Sequence, residues 1–171
     1  MRLRRATPAD AAIFTELEQS AGLAFRADSE IAWLADAANL PADRYREIIA
    51  EGWSWVAEDE QAAPVAFAAA TLDGEELHLW ELNVHIDHQR QGIGRALLKR
   101  LLFEAATAAI PAVTLTTFRD LPWNAPFYRS LGFELVDAVQ LDPRLAELLA
   151  EEARRGLPAI RRCAMRRKIL F

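Results

Sequence analysis

The chain has 171 residues, of which 52% are hydrophobic and 26% charged, the make-up of one globular domain with a sizeable core rather than a disordered chain. Its formal charge of −5 argues against general nucleic-acid binding and mildly favours cationic amines as partners. Cys163 is the single cysteine, which excludes an intramolecular disulfide and points to a reducing compartment. No apolar run reaches membrane-spanning length, and Met1-Arg2-Leu3-Arg4-Arg5 leads into Pro8 and Asp10 without a signal-peptide core. A cytoplasmic protein with no membrane and no nucleic-acid partner is expected.

In chain order, Arg2 to Ala6 reads as a first strand, and Thr7 suits the cap of a helix from Pro8 to about Ser20. Ala21 to Phe25 breaks that pattern, and a second helical region from about Ser29 to Asn39 carries Ile31, Trp33 and Leu34. A helix from Tyr45 to Ala50 closes at Gly52. Trp53 to Glu58 and Val65 to Leu72 read as strands, and Asp73-Gly74 as a hairpin into a strand from Leu77 to Ile86. Leu97, Leu98, Leu101, Leu102 and Ala105 then share one helix face. Val113 to Thr117 is another strand, a short helix runs between Asn124 and Gly132, and Phe133 to Val136 starts a further strand. A helix from Arg144 to Arg155 stops at Gly156 and Pro158, and Ala159 to Phe171 reads as a final strand. The order is mixed α/β.

The most informative stretch is His88-Gln89-Arg90-Gln91-Gly92-Ile93-Gly94-Arg95-Ala96-Leu97, a glycine-punctuated turn between a strand and a helix. A helix start leaves backbone N–H groups outside the helical ladder, and the helix dipole adds positive potential there. Gly92 and Gly94 clear side chains from the approach, and Arg90 and Arg95 can add charged hydrogen bonds. The pattern suits a diphosphate. A Walker loop is excluded because Arg95-Ala96 stands where Lys-Ser/Thr is needed, and a dinucleotide fingerprint because Leu97 replaces its third glycine.

What remains, Gln-x-x-Gly-x-Gly after a strand, resembles the pyrophosphate-binding loop of the GCN5-related N-acetyltransferases. A second block, Asn124-Ala125-Pro126-Phe127-Tyr128-Arg129-Ser130-Leu131-Gly132-Phe133, resembles the later half of that family and follows the first in the family's order. The resemblance covers roughly Arg2 to Phe171 and is sharpest from Leu77 to Val136. It implies a single-domain acyl-CoA N-acyltransferase fold over residues 1–171, α/β in class. Its mixed, mostly antiparallel sheet is flanked by helices and splayed between strands 4 and 5, where the coenzyme would lie. Acetyl-CoA is the implied co-substrate, with no metal. The coenzyme contacts it implies are Asn83, Val84, Gln89, Arg90, Gln91, Gly92, Ile93, Gly94, Arg95, Ala96 and Asn124.

The chemistry needs a base for the ammonium and a proton for the departing thiolate. Glu81, a carboxylate in a mainly apolar strand, reads either as a satisfied structural group or as the wall of a wet groove. The resemblance makes it the base that takes the amine's proton, directly or through water. A bulge near Asn83 and Val84 is implied as well, freeing N–H groups for the thioester oxygen. Tyr128 reads as a core aromatic by itself and, by resemblance, as the proton donor to the thiolate. Asn124 suits a helix cap as well as the pantetheine arm. Phe25, Arg26, Trp33 and Phe118 lie where the family shapes its acceptor pocket, and the acceptor class stays open as a small-molecule or peptide amine. The expected activity is transfer of acetyl to a primary amine in a ternary complex, without an acyl-enzyme. A coenzyme-binding sensor without catalysis is the alternative, and a nucleic-acid binder using the Arg161 to Lys168 cluster is disfavoured by the net acidity. That cluster is expected to pair with Glu147, Glu151 and Glu152 or to be simply solvated. His78, His85 and His88 lack zinc-site spacing, and Cys163 lacks a neighbouring histidine and reads as core. A homodimer paired through the final strand is the expected assembly if the chain associates.

Overall fold

Seven strands and five helices follow one another in the computed structural model, which describes residues 1–170. The strands are β1 (Arg2–Arg5), β2 (Trp55–Glu58), β3 (Pro64–Asp73), β4 (Glu76–Val84), β5 (Ala112–Phe118), β6 (Glu134–Leu135) and β7 (Arg162–Lys168). The helices are α1 (Ala11–Gly22), α2 (Ala42–Ala50), α3 (Ile93–Thr107), α4 (Ala125–Arg129) and α5 (Pro143–Arg154). Strand order is β1-β2-β3-β4-β5-β7-β6, mixed and mostly antiparallel, with β4 and β5 parallel. Two units divide the chain, residues 1–73 with 79–104, and residues 74–78 with 105–171.

In the first unit, β1 runs antiparallel to β2, and β2 antiparallel to β3. Period-two alternation on β3 turns Phe67 and Ala69 toward α1 and α2, where Phe14, Leu17, Tyr45, Ile48 and Ile49 complete a buried cluster. Phe14 stacks on Phe67 with centroids 4.0 Å apart, and Tyr45 meets both rings edge-on at 5.4 Å. Such a buried aromatic stabilises by about 3 kcal/mol, so truncating one opens a cavity costing about 3 to 5 kcal/mol. Arg4 closes the β1 end. Its guanidinium grips both oxygens of Asp10 at 2.8 Å and reaches Glu58 at 2.5 Å. The Arg4 contact holds the Asp10 carboxyl below the usual carboxylate range against the opposing effect of burial. Asp10 also accepts the Thr7 N–H at 2.7 Å, so the expected cap is a reciprocal one, on a 3-10 turn at Pro8–Asp10 that leads into α1.

The expected helix from Ser29 to Asn39 does not form. A 3-10 turn at Ala32–Asp36 replaces it, and another at Leu23–Ala27 precedes it. The side chain of Asp28 accepts the Glu30 N–H at 3.1 Å, and Ile31 N–H reaches only back to the Asp28 carbonyl, so a local turn outcompetes the helical ladder. Ile31 is nonetheless fully buried, as its periodicity implied.

In the second unit, β5 and β7 pair over seven residues from Ala112↔Lys168 to Phe118↔Arg162, and β6 pairs with β7 at Glu134↔Arg166 and Leu135↔Met165. Leu77 and His78, from the start of β4, lie beside Val113 and Thr114 of β5. The final strand is shorter than expected, and Phe171 lies outside the described residues. β7 sits between β5 and the two-residue β6, which covers it at Met165 and Arg166. The basic residues of β7 find partners other than those expected. Arg162 does hold Glu152 at 2.9 Å, but Arg166 holds Glu76 and Asp142, Arg161 holds Asp120, and Glu147 and Glu151 pair with Arg154 on their own helix. No helix among the described residues is long and apolar enough to cross a membrane.

Candidate active site

The diphosphate turn forms where β4 ends. His85 N–H donates to the Val65 carbonyl at 2.8 Å and Ile86 N–H to Ser20 Oγ at 3.0 Å, tying the strand's exit to β3 and to the end of α1. A 3-10 turn at Ile86–His88 follows. Arg90 and Gly92 then take left-handed backbone angles, φ 62° and 81°, which swing the chain into α3 at Ile93. The first α3 bond runs from Ala96 N–H to the Gly92 carbonyl at 3.0 Å, so the N–H groups of Ile93 and Gly94 stand ahead of the ladder. A Cβ placed on Gly92 would meet nothing within 4 Å, and Arg90, Gln91 and Gly92 are exposed. With the dipole of a fifteen-residue helix behind them, these donors fit a diphosphate.

Two of the expected coenzyme side chains are engaged within the chain. Gln89 donates from Nε2 to the Val84 carbonyl at 3.1 Å, bracing the turn against the strand, and Asn83 donates from Nδ2 to Glu81 Oε2 at 2.8 Å. Ile93 is buried at the root of α3, whereas Gly94, Arg95 and Ala96 are partly buried in its first turn.

Glu81 is partly buried on β4, and its negative charge reaches the phenol of Tyr45 on α2. Burial first, then the charges of Glu81 and Glu18, push the Tyr45 hydroxyl far above its ordinary range, so it stays protonated. That hydroxyl donates to Glu18 Oε2 at 2.7 Å, and the same oxygen accepts the Leu40 N–H at 3.0 Å. Burial raises the Glu18 carboxyl above the usual range, opposed by these two bonds. Neither Glu18 nor Tyr45 stood out as a site residue in the sequence. The available signal was Glu18 itself, one helical turn beyond the core residue Phe14 and so on the buried side of α1.

Of the first-unit residues expected at the acceptor pocket, Phe25 is partly buried, Trp33 is 44% exposed, and exposed Arg26 pairs with Asp36 at 3.1 Å. In the second unit, Tyr128 on α4 is buried, edge-on to Phe127 and Phe133 with centroids 5.2 and 5.7 Å away. Phe118, also expected at the acceptor pocket, is 1% exposed beneath the Arg162 guanidinium at 4.6 Å. Asn124 does not cap α4 through its side chain. The natural target at the second helical position is Pro126, which has no N–H, and the Asn124 oxygen instead takes the Phe118 N–H at 3.4 Å. His78 is buried, with Nδ1 2.9 Å from Thr114 Oγ1, and burial then Arg144 lower its pKa to about 3. Cys163 is buried with its thiol pushed up by burial, and so is poorly suited to act as a nucleophile. Among the described residues no group of three or more His, Cys, Asp or Glu is placed to hold a metal ion.

A family model described as "Acetyltransferase (GNAT) domain" matches residues 50–135, half of the chain. The chain belongs to the GNAT acetyltransferase family. Among relatives, an uncharacterized N-acetyltransferase of Porphyra purpurea is 34% identical over 76 residues, 44% of this chain and 42% of that protein. The match thus spans less than half of the relative's length. Among solved structures, the PaiA N-acetyltransferase of Thermoplasma acidophilum, in complex with coenzyme A, superposes with a TM-score of 0.69 at 15% identity, covering 98% of each chain. The ribosomal-protein-S18-alanine N-acetyltransferase of Escherichia coli gives 0.69 at 19% identity, covering 99% of this chain and 94% of the other. Both confirm the fold.

Proposed function

We propose that this GNAT member transfers acetyl from acetyl-coenzyme A to a primary amine of a small molecule or peptide, by direct attack in a ternary complex, and that residues 1–171 work as one acetyltransferase domain. The observation that carries this reading is the turn at Arg90–Gly92. Two left-handed residues, an exposed Gly92 and the N-terminus of α3 come together there, which supports an anion site. The coenzyme supplies an activated thioester. Glu81 takes the proton from the attacking ammonium, directly or through water, so that a neutral amine meets the carbonyl carbon. Backbone N–H groups near Val84 hold the carbonyl oxygen as it gains charge. Tyr128 donates a proton to the departing thiolate, and no residue becomes acylated. Asn124, in this reading, also contacts the pantetheine arm.

The region of Phe25, Arg26 and Trp33 is the proposed acceptor side, consistent with a fold-mate that acetylates the alanine of a ribosomal protein and with the net negative charge. The lone buried cysteine supports a reducing compartment, and we propose the cytoplasm. The test is release of free coenzyme thiol from acetyl-coenzyme A across amino acids, polyamines, aminoglycosides and peptides with free N-termini, run with wild type and Glu81→Gln. We expect turnover with one amine class and a fall of roughly a hundredfold in Glu81→Gln. Coenzyme binding with no turnover on any class would replace the enzyme reading with that of a sensor.

A further inference from the structure

We infer that Asn83 is a positioning residue for Glu81, holding its carboxylate ionised and aimed. This rests on the reading of Glu81 as the base, and it displaces the expectation that the Asn83 side chain serves the coenzyme. The two residues are two apart on β4 and share one face of the strand. The short amide donates to the end of the longer carboxylate, 2.8 Å from Nδ2 to Oε2. A donor on a carboxylate favours the charged form, which is the form a base must start from.

The strand around Asn83 is held from both sides. Before it, Trp80 donates from Nε1 to Thr71 Oγ1 at 2.7 Å, locking β4 against β3. After it, Gln89 holds the Val84 carbonyl, His85 N–H holds Val65, and Ile86 N–H holds Ser20. These bonds also brace the diphosphate turn. The same short segment therefore sets both the base and the anchor of the acyl donor, and a base held to one geometry is what an attack of fixed direction requires. Other titratable groups bear on Glu81 from neighbouring elements. Tyr45 of α2 feels its charge, Glu18 of α1 is bound to that phenol, and His85 stands four residues on at the strand's exit.

The test reads the carboxyl directly. Full-length protein labelled with carbon-13 at the glutamate side-chain carboxyl is titrated by NMR, with the Glu81 signal assigned by its loss in Glu81→Gln. Asn83→Ala should raise the Glu81 midpoint by about one pH unit, and Asn83→Asp by more, because a second carboxylate repels the first. Coenzyme affinity by calorimetry should stay within about twofold in Asn83→Ala, and the pH limb of single-turnover acetylation with the fastest acceptor of the panel should move up with the midpoint. An unmoved midpoint, or a tenfold loss of coenzyme affinity with an unmoved limb, overturns the inference and returns Asn83 to the coenzyme. A midpoint that moves while the kinetic limb stays in place overturns instead the reading of Glu81 as base. A double variant, Asn83→Ala with Glu18→Gln, should show the same rise, which separates the effect from the α1 carboxylate.

Discussion

Removing the Tyr45 hydroxyl tests the polar cluster behind Glu81 without disturbing the core. Tyr45→Phe keeps the edge-on packing against Phe14 and Phe67 and deletes one bond, 2.7 Å long, to the Glu18 carboxylate. A hydrogen bond to a charged group contributes about 2 kcal/mol, and Glu18 retains the Leu40 N–H, so the loss stops short of a fully stranded carboxylate. The size depends on pH, with a definite sign. Burial raises the Glu18 carboxyl in the folded state, so the native protein binds a proton more readily there than the unfolded chain does. Stability therefore falls as pH rises from the ordinary glutamate value to the raised one, and is flat above it. The lost hydroxyl opposed that rise, so the variant extends the sloping window upward. The cost is about 2 kcal/mol wherever Glu18 is ionised, the state that measurement at pH 8 favours. At pH 4, where it is neutral, only an ordinary hydrogen bond is lost, about 1 kcal/mol. For a chain of this size those figures correspond to drops in melting temperature of about 4 to 8 °C and about 2 to 4 °C. Thermal melts at the two pH values check it. Equal losses at both, or a loss below about 1 °C at pH 8, would refute the coupling of Tyr45 to an ionised Glu18.

Gly94 has no left-handed angle and lies in the first turn of α3, so Gly94→Asp should fold normally while a new negative charge meets the diphosphate; calorimetry should show coenzyme affinity down more than tenfold. Tyr128→Phe should cost about 1 kcal/mol in stability, leave coenzyme affinity in place and slow single-turnover acetylation roughly a hundredfold, and an unchanged single-turnover rate would make Tyr128 a packing residue. The His78 imidazole should show no NMR titration between pH 5 and 8. Its depressed value keeps it neutral when folded, so its contribution to stability is complete above the unfolded histidine value and is lost as pH falls toward about 3.

The parts of this molecule that could be read from sequence are those fixed by local backbone geometry. The Gly92 turn and the α3 start were legible because only certain residues take that path, and the Asp73-Gly74 hairpin for the same reason, Gly74 having φ 63°. The Ser29 to Asn39 region was not, because Ile31 and Ala35 keep a helical spacing in a segment held by 3-10 turns, and burial alone does not distinguish the two. Charge pairing was the least legible. Arg166 and Glu76 are 90 residues apart in sequence, so the nearer acids of α5 looked like the natural partners of β7. Asn124 shows the same limit on a smaller scale, since Pro126 removes one of the two donors a cap could use and the side chain turns to the Phe118 N–H instead.

The pattern of satisfied charge separates scaffold from site within each unit. Arg4 is closed by Asp10 and Glu58, Arg162 by Glu152 and Thr116, and Arg166 by Glu76 and Asp142, all in partly buried surroundings where an open charge would be costly. Sets closed in this way have little left to offer a ligand, and on β7 it is Arg162 and Arg166 that are held by this chain's own acids. The Arg90–Gly94 turn is built oppositely. Its donors are the backbone groups at the start of α3, and its one left-handed arginine is exposed. The bonds that Gln89, His85 and Ile86 make serve only to hold that backbone in place. Positive potential from peptide dipoles and open N–H groups costs no buried charge when the site is empty, and it is available in full when a diphosphate arrives.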